Sequence, residues 1–569
     1  MEGPPDSSRI PRRSFLVALA TAGAGALVAG CGSSQPSVDA RPSLDLLIRN
    51  GSVINGTGSD AVLADVGVRG DRIIAVGQLS DATASRVIDA RGLMVVPGFV
   101  DIHSHTDESL LRFPRAESKV MQGVTTEVGG QDGDSPAPLG GPTLVGRLEA
   151  FKDDYGYECP YRDMDGFLSL LERNRTAQNI VMMVGLGTVR GTVVGMDNRP
   201  ATRDEILAMQ REVALAVEQG CWGASTGLEY TPGSFASKEE LAEVMTAIPG
   251  RLRLYATHMR NEDNRVLEAI EEAIAISEGS GARLQVSHLK AQNRANWPKQ
   301  QPALDLLDAA IASGVEVHAD RYPYIAFSTG LQNLFPIASR DGGNERFVSR
   351  LKDPATLATL RPAVLKKVDG LGSWESVMIS SVKGDDAKKY LGKTVKEISA
   401  QEGVDPFEFV VDLLVKENAG VGIVGFGMDE AGTELVLKWK NSMVASDGGA
   451  YSPASQTRPH PRAYGTFPRA IRVYALDRKI VPLPEMIRKM TSLPAGKIGL
   501  ADRGVIAEGK AADIVVFDPA TVRDEATYTD PHRFPSGMPY VIVNGVDVVR
   551  EGRQLDVLPG RVLRSRNIS

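Results

Sequence analysis

The sequence predicts an α/β protein in which a (β/α)8, TIM-like barrel is joined to a small β-sandwich domain formed from both chain termini. Two observations lead to this fold class. Helix and strand patterns alternate through the middle of the chain, and short strands of one kind recur at its two ends. The length of 569 residues accommodates a barrel-sized domain and a smaller one.

The β-sandwich is predicted from residues 44–97 together with 500–563. Alternating apolar residues mark short strands, such as 44–49 near the start and 540–544 near the end, and turn dipeptides such as Gly70-Asp71 separate them. Neither end has enough strands to bury a core alone, so the economical arrangement combines both.

The barrel is predicted over residues 98–499. Amphipathic helices and apolar strands alternate there, for example a helix over 264–278 followed by a strand over 284–287. Repeated strand–helix units favour a parallel sheet, and the length suits a closed barrel with insertions better than an open sheet. Residues 341–435 are the least regular part, and we interpret them as an insertion beside the barrel mouth.

The N-terminal segment 1–31 is interpreted as an export signal, followed by a linker over 32–43. Arg12-Arg13-Ser14-Phe15-Leu16 has the twin-arginine pattern, and Leu27-Val28-Ala29-Gly30-Cys31 resembles a bacterial lipobox, whose cysteine receives lipid. We therefore expect an extracytoplasmic protein, exported by the twin-arginine route and anchored to the bacterial cell membrane through lipid on Cys31. An uncleaved anchor is the alternative interpretation.

Composition limits the classes of partner. The formal charge is −7 and no run of lysine and arginine suggests nucleic acid, so we expect none, and membrane contact only through the lipid anchor. Cys159 and Cys221 are far apart in sequence, and a disulfide between them is possible but not indicated. The sequence leaves the oligomeric state open.

Two histidines spaced by one residue, His103 and His105, end the first predicted barrel strand. Alternate residues of a strand point the same way, so both imidazoles converge on one spot. Convergent imidazoles at a strand end suit a divalent metal. For this pair alone, two surface histidines would be the plainer interpretation.

Three further candidate ligands, His258, His288 and Asp447, also end predicted strands. Barrel enzymes place catalytic groups at the carboxyl ends of their strands, and histidine and aspartate are zinc-type ligands. Because the chain has only seven histidines, four of them at strand ends predict a metal site.

Several longer motifs resemble the amidohydrolase superfamily, specifically its D-aminoacylase (N-acyl-D-amino-acid deacylase) branch. The resemblance extends from about residue 44 to residue 563, and it implies a metal barrel with a β-sandwich. Its motifs are Gly98-Phe99-Val100-Asp101-Ile102-His103-Ser104-His105, Ser225-Thr226-Gly227-Leu228-Glu229-Tyr230, Tyr255-Ala256-Thr257-His258-Met259-Arg260, Val286-Ser287-His288-Leu289-Lys290, Ala445-Ser446-Asp447-Gly448 and Arg458-Pro459-His460-Pro461-Arg462.

The resemblance implies Zn²⁺ as cofactor, with one tight site and a second, weaker one. The tight site would use His258, His288 and a cysteine, and the weaker one the His103/His105 pair with Asp447. Asp132 stands at the family's cysteine position. Its oxygen donor shifts the preference toward harder divalent metals. Glu127, on the preceding strand, is a rival third ligand.

The expected reaction is hydrolysis of the amide bond of an N-acyl-D-amino acid, a small molecule with a free carboxylate. Asp447 would act as general base and then as general acid. Lys290, two residues after His288, and Arg462, after Asp447, are candidate cations for the substrate carboxylate. By resemblance, Tyr322, Ser328 and Tyr230 also bind substrate, and Leu186 stands where many relatives have a histidine.

Three alternatives remain open at this point. A cyclic-amide hydrolase of the hydantoinase or dihydroorotase kind is disfavoured because no lysine is found in the bridging role that such enzymes use. A D-specific dipeptidase is harder to separate, since a peptide is also an N-acyl amino acid. A non-catalytic binding lipoprotein is the third alternative. Unlike an enzyme, it would need no general base, so replacing Asp447 would change nothing.

Overall fold

A computed structural model describes residues 43–565. The predicted export signal, the linker as far as residue 42 and Cys31 lie outside the described residues. Within 43–565, no helix combines the length and the apolar character needed to cross a membrane. Cys159 and Cys221 are both buried and free, so the open question of a disulfide between them is answered in the negative.

The strands alternate with helices through most of the described chain. The strands are β1 (Leu44–Val53), β2 (Val62–Arg69), β3 (Arg72–Gly77), β4 (Ala84–Asp89), β5 (Met94–Pro97), β6 (Phe99–Asp101), β7 (Val124–Gly129), β8 (Asn179–Met182), β9 (Val184–Gly185), β10 (Ala224–Gly227), β11 (Leu254–His258), β12 (Arg283–Val286), β13 (Val317–Arg321), β14 (Phe327–Gly330), β15 (Val377–Ser381), β16 (Gly422–Gly425), β17 (Ser442–Val444), β18 (Ile514–Phe517), β19 (Tyr540–Val543), β20 (Val546–Arg550) and β21 (Arg553–Gln554). The α-helices are α1 (Ser109–Arg112), α2 (Glu117–Val120), α3 (Leu144–Tyr155), α4 (Met164–Asn174), α5 (Leu186–Val193), α6 (Arg203–Glu218), α7 (Lys238–Met245), α8 (Val266–Ser280), α9 (Gln300–Ala312), α10 (Gly343–Lys352), α11 (Pro354–Leu371), α12 (Val395–Glu402), α13 (Pro406–Lys416), α14 (Glu430–Lys438), α15 (Arg462–Arg469), α16 (Leu483–Met490) and α17 (Ser492–Ile498).

Strands from both ends of the chain share one nine-stranded sheet, in the order β21-β20-β19-β18-β5-β1-β2-β3 with β4 beside β1. The combination of both ends agrees with the sequence pattern, and the hydrogen bonds connect all nine strands into one continuous sheet. The cause is β1, whose first half pairs with β4 and whose last residues pair with β5. The switch follows Asn50, which adopts a left-handed φ of 59°.

The end of the chain leaves this sheet earlier than predicted. Val562 forms a parallel bridge with Ile180 of β8, and the Leu563 amide donates to the Ile180 carbonyl at 2.7 Å. The Trp222 indole N–H donates to the Leu563 carbonyl. The predicted range 500–563 is therefore too long at its end, because unpaired backbone groups beside β8 bind residues 560–565.

The middle of the chain forms parallel strands in two hydrogen-bonded groups, β6-β7-β8 and β9-β10-β11-β12-β13-β17. Only Met183 separates β8 from β9, so one stretch of chain belongs to both groups. At the other side, Ser104 after β6 forms a parallel bridge with Gly448 after β17. This arrangement confirms the predicted α/β class and brings the carboxyl ends of these strands together.

A separate antiparallel module lies between β13 and β17. Its sheet has the order β14-β16-β15, and its core is rich in aromatic and branched side chains, including Phe335, Phe347 and Phe407. The module begins at β14, so the insertion predicted over 341–435 starts too late in the chain. The sequence pattern does not predict β14, because this strand is four residues long and its partner strand, β16, lies about a hundred residues further along the chain.

Candidate metal centre

Two overlapping groups of potential metal ligands lie just beyond the carboxyl ends of the parallel strands. Within each group the ligand atoms all lie within 4.8 Å of one another, and Asp132 belongs to both. The first group is His103, His105, Asp132 and Asp447, and the second is Asp132, His258 and His288.

The local backbone directs three of these side chains inward. Asp132, His288 and Asp447 follow β7, β12 and β17 and have φ values of 53°, 34° and 49°, in the left-handed region that residues other than glycine rarely adopt. Such strained conformations persist where the surrounding structure holds them, and they cluster at functional sites. Here the Asp447 amide donates to the His103 carbonyl at 2.9 Å, so a backbone hydrogen bond joins the loop after β17 to the loop after β6.

Asp132 occupies the centre of the site. Its carboxylate oxygens lie 3.3 Å from Nε2 of His103, 3.5 Å from Nε2 of His105, 3.7 Å from Nδ1 of His258 and 3.4 Å from Nε2 of His288. Burial opposes its ionisation, but the imidazoles of His103 and His288 outweigh burial and hold its pKa well below the ordinary value. Asp132 is therefore an anionic donor shared by four histidines.

The site fits a divalent metal. Nε2 of His103 and Oδ1 of Asp132 are buried and have no hydrogen-bond partner among residues 43–565. Orphaned buried polar atoms are costly unless something else binds them. Imidazole nitrogens and carboxylate oxygens that converge this closely are the donors of zinc-type sites.

Asp447 joins the ligand group to a buried cation. Its Oδ1 lies 2.9 Å from Nε2 of His105 and 3.6 Å from Nε2 of His103, while Oδ2 accepts a hydrogen bond from Arg462 Nη1 at 2.6 Å. Arg462, like Asp447, is about 6% exposed. Burial raises the pKa of Asp447, but Arg462 and His288 reverse that effect and leave it far below the ordinary value.

Glu127 lies outside both ligand groups. It accepts hydrogen bonds from Ser104 at 3.1 Å, Thr106 at 3.0 Å and Gln178 at 2.8 Å, and Lys119 lies 3.0 Å away. Its oxygens are thus satisfied elsewhere. Of the two rival third ligands, the structure brings Asp132, and not Glu127, to the histidines.

Three carboxylates that the sequence reasoning missed face the ring nitrogens on the far side of the ligand histidines. Asp320 Oδ1 lies 3.3 Å from Nδ1 of His103, and Glu262 Oε1 lies 2.9 Å from Nδ1 of His288. Glu229 Oε2 lies 3.7 Å from Nε2 of His258. The sequence held a signal for Asp320, which lies near the carboxyl end of β13, just as the candidate ligands lie near the ends of their strands.

A cavity of about 740 Å³ opens onto the ligand groups. The predicted substrate residues all line it: Tyr230, Lys290, Tyr322, Ser328 and Arg462. The Tyr322 hydroxyl is buried without a hydrogen-bond partner in the described chain, and the Tyr230 hydroxyl lies 3.3 Å from Thr329 Oγ1. Leu186 is not among the lining residues and belongs to the apolar core.

Both predicted cations are paired with carboxylates. Lys290 Nζ donates to Glu262 Oε1 at 2.6 Å, and Arg462 donates to Asp447. The reason is burial, since a charge withdrawn from water needs a partner in the folded protein. Each cation therefore has a carboxylate partner within the protein.

Comparison with known proteins relates this site to catalysed reactions. Residues 86–154 and 392–549 match the model of the Amidohydrolase family. The chain is 35% identical over 525 residues to the D-aminoacylase of Alcaligenes xylosoxydans xylosoxydans, covering 92% of this chain and 98% of that protein. It is 34% identical over 522 residues to the N-acyl-D-glutamate deacylase of the same organism, covering 92% and 96%.

A solved structure is similar over the same length. N-acyl-D-glutamate deacylase from Bordetella bronchiseptica, complexed with zinc and a phosphonate inhibitor that mimics the tetrahedral intermediate, is 32% identical. The match has a TM-score of 0.78 and covers 92% of this chain and 100% of that chain.

Proposed function

The chain belongs to the amidohydrolase family, in its D-aminoacylase branch, and we propose that it hydrolyses the amide bond of N-acyl-D-amino acids to a carboxylate and a free D-amino acid. One observation carries this proposal: Asp447 contacts His103, His105 and Arg462. These residues lie at a cavity that Lys290 and Tyr322 line. This arrangement brings together a general base, a set of metal ligands and cations that can bind the substrate carboxylate.

The fold that supports this chemistry is proposed to be a closed barrel. Counting β8 and β9 as one strand, eight parallel strands follow one another, and the bridge between Ser104 and Gly448 joins the first to the last. Closure would explain why ligands from β6, β7, β11, β12 and β17 meet at one end.

Zn²⁺ is the proposed metal, held by Asp132, His258 and His288, with a second, weaker site at His103, His105 and Asp447. A bound divalent cation lowers the pKa of a water molecule and polarises a carbonyl group. The donor set lacks a thiolate, so harder divalent metals also suit it.

Asp447 is the proposed proton carrier. Its carboxylate accepts the proton of the attacking water and returns it to the amine nitrogen as the carbon–nitrogen bond breaks, so the water is divided between the two products. Arg462 keeps Asp447 ionised through its hydrogen bond to Oδ2 and can use its remaining donors on the substrate carboxylate.

The neighbouring groups would fix the substrate. Lys290 and Tyr322 line the same cavity as Arg462, and the Tyr322 hydroxyl has no hydrogen-bond partner among residues 43–565. Ser328 on β14 and Tyr230 lie on its walls. Because β14 belongs to the antiparallel module, that module would contribute directly to substrate binding.

A linear amide is favoured over a cyclic one by the position of lysine. The lysines that line the cavity are Lys290 and Lys367, and Lys290 Nζ lies 2.7 Å from Nδ1 of His288, the nitrogen turned away from Asp132. Lys290 is therefore not placed to bridge the two ligand groups as the hydantoinase mechanism requires.

The decisive experiment is a substrate panel with metal analysis. Purified protein should hydrolyse N-acetyl-D-amino acids, and it should leave N-acetyl-L-amino acids and hydantoins intact. Faster cleavage of D-dipeptides than of any N-acetyl-D-amino acid would identify a dipeptidase instead. Ligand binding without turnover of any member would identify a binding protein, and activity confined to the L series would overturn the proposal.

Export and lipid anchoring are proposed on the sequence alone, from Arg12-Arg13 and Cys31. Cells grown with labelled fatty acid should incorporate the label into the wild-type protein, which should fractionate with the membrane. Cys31→Ser should abolish the label. Equal labelling of both proteins would contradict lipidation at Cys31.

A further inference from the structure

Glu262 follows β11 by four residues, is almost completely buried and lines the cavity. Its Oε1 accepts a hydrogen bond from Lys290 at 2.6 Å and lies 2.9 Å from Nδ1 of His288. Its Oε2 accepts from the Gln292 side chain at 2.8 Å and lies 3.9 Å from Nε2 of His258. One carboxylate therefore contacts a substrate cation and faces both histidines of the second ligand group.

Glu262 and Asp132 bracket these histidines from opposite sides. Asp132 faces Nδ1 of His258 and Nε2 of His288, whereas Glu262 faces the other nitrogen of each ring. A ligand histidine needs a lone pair on the nitrogen that binds metal, so its other nitrogen must carry the proton. A carboxylate beside Nδ1 of His288 favours that arrangement and the orientation of the ring, whereas the Lys290 ammonium, 2.7 Å from the same nitrogen, can only donate to it.

The same carboxylate sets the position of Lys290. The lysine ammonium has three donors, of which one reaches Glu262 and another the His288 carbonyl at 3.1 Å. The third lies 2.7 Å from Nδ1 of His288, and it would have to turn away from that ring to reach a substrate carboxylate in the cavity that Lys290 lines. Without Glu262, the ammonium would lose its buried counter-charge and its fixed orientation.

We propose that Glu262 is a positioning residue that links the substrate cation Lys290 to the metal ligand His288, so that one carboxylate sets both substrate affinity and metal affinity. This inference rests on the proposed deacylase function for its substrate half only. The backbone reinforces the link, since the Gln292 amide donates to the Glu262 carbonyl at 2.6 Å and so joins the loops after β11 and β12.

The test compares Glu262→Gln with wild type in two measurements. Zn²⁺ affinity is measured by competition with a chromophoric chelator, and kcat and KM are measured at saturating Zn²⁺. We expect metal affinity to fall by about 10- to 100-fold, as is typical when a carboxylate behind a metal-bound histidine is lost. KM should rise as well, because Lys290 is no longer held.

A double-mutant cycle separates positioning from a general structural effect. Lys290→Met should raise KM with little change in Zn²⁺ affinity. In the double variant, the increase of KM over wild type should be smaller than the product of the increases in the two single variants. Unchanged Zn²⁺ affinity in Glu262→Gln, or KM effects that multiply independently, would overturn the proposal. If Glu262→Gln does not fold, Glu262→Asp replaces it, since aspartate keeps the charge on a shorter side chain. A smaller decrease in Zn²⁺ affinity and a smaller increase in KM would then support the proposal.

Glu272→Gln is the matched control. Glu272 also forms an ion pair with a basic residue, Arg260, at 2.8 Å, but neither residue lines the cavity. It should leave Zn²⁺ affinity and KM unchanged. If wild type fails to hydrolyse any N-acyl-D-amino acid, the proposed function fails, while the Zn²⁺ measurement still tests the link between Glu262 and His288.

Discussion

Arg462 and Asp447 form a buried ion pair in which Nη1 of the arginine lies 2.6 Å from Oδ2 of the aspartate. The other carboxylate oxygen, Oδ1, faces His105 and His103. One oxygen of Asp447 thus faces the histidines of the first ligand group, and the other pairs with Arg462. This division leads to the first prediction.

Asp447→Asn should abolish turnover while leaving metal bound. The amide keeps the shape of the side chain but cannot take a proton, so kcat should fall by about 10²- to 10⁴-fold. Asp132, His258 and His288 form a ligand group without Asp447, so bound metal should persist. Steady-state kinetics and metal content of the purified variant check both parts. Undiminished kcat would show that Asp447 is not the proton carrier.

Asp132→Ala should remove metal from both ligand groups, because Asp132 is their common member. Asp132→Cys should instead bind Zn²⁺ more tightly and Mn²⁺ less tightly than wild type, since thiolate is a softer donor than carboxylate. Metal titrations of the three proteins check this order. If Asp132→Ala retains stoichiometric metal, another group provides the third ligand.

Lys119→Met should destabilise the protein and disturb the site from behind. Its ammonium is fully buried and lies 3.0 Å from Asp101, 3.0 Å from Glu127 and 2.6 Å from Ser446. Removing one partner of a buried ion pair costs about 3–5 kcal/mol. Because Asp101 and Ser446 flank His103 and Asp447, activity should fall with stability. Denaturant unfolding and kinetics measure both effects.

The control for this variant is Lys416→Met. Lys416 pairs with Asp412 at 2.9 Å, but both side chains are about 70% exposed. Exposed pairs contribute about 0–1 kcal/mol. Equal destabilisation by the two substitutions would contradict the role assigned to the buried lysine.

Stability should depend on pH through Lys489, a buried lysine whose amine donates to Ser442 at the start of β17. Burial lowers its pKa to about 7, from 10.5 in an exposed lysine. Between these values the unfolded chain binds the extra proton, so raising the pH over this window stabilises the fold by up to about 1.4 kcal/mol per pH unit.

The measurement compares wild type with Lys489→Met. The difference between their free energies of unfolding cancels every other titrating group, and it should shift in favour of wild type from pH 7 to pH 10. A difference that is constant with pH would show that Lys489 keeps an ordinary pKa in the folded protein.

Much of the fold was predictable because its signals are local. The period of apolar residues predicts a helix over 264–278 and a strand over 284–287, and the structure has α8 (Val266–Ser280) and β12 (Arg283–Val286) there. The single end sheet was not predictable in this way. It depends on β1 changing partner from β4 to β5, and no short-range pattern records which strand becomes a neighbour.

By itself, the sequence predicted the histidine ligands and Asp447, because strand alternation and strand ends can be recognised in consecutive residues such as Asp101 to His105. The family was identified by the resemblance of its motifs. Only the tertiary structure decided that Asp132 and not Glu127 meets the histidines, and that Glu262 and Asp447 already hold Lys290 and Arg462. The physical reason is that a buried charge must be neutralised by whichever partner lies beside it in space. Those partners lie 28 residues away in sequence for Lys290, 15 for Arg462, and 156 between Asp132 and His288.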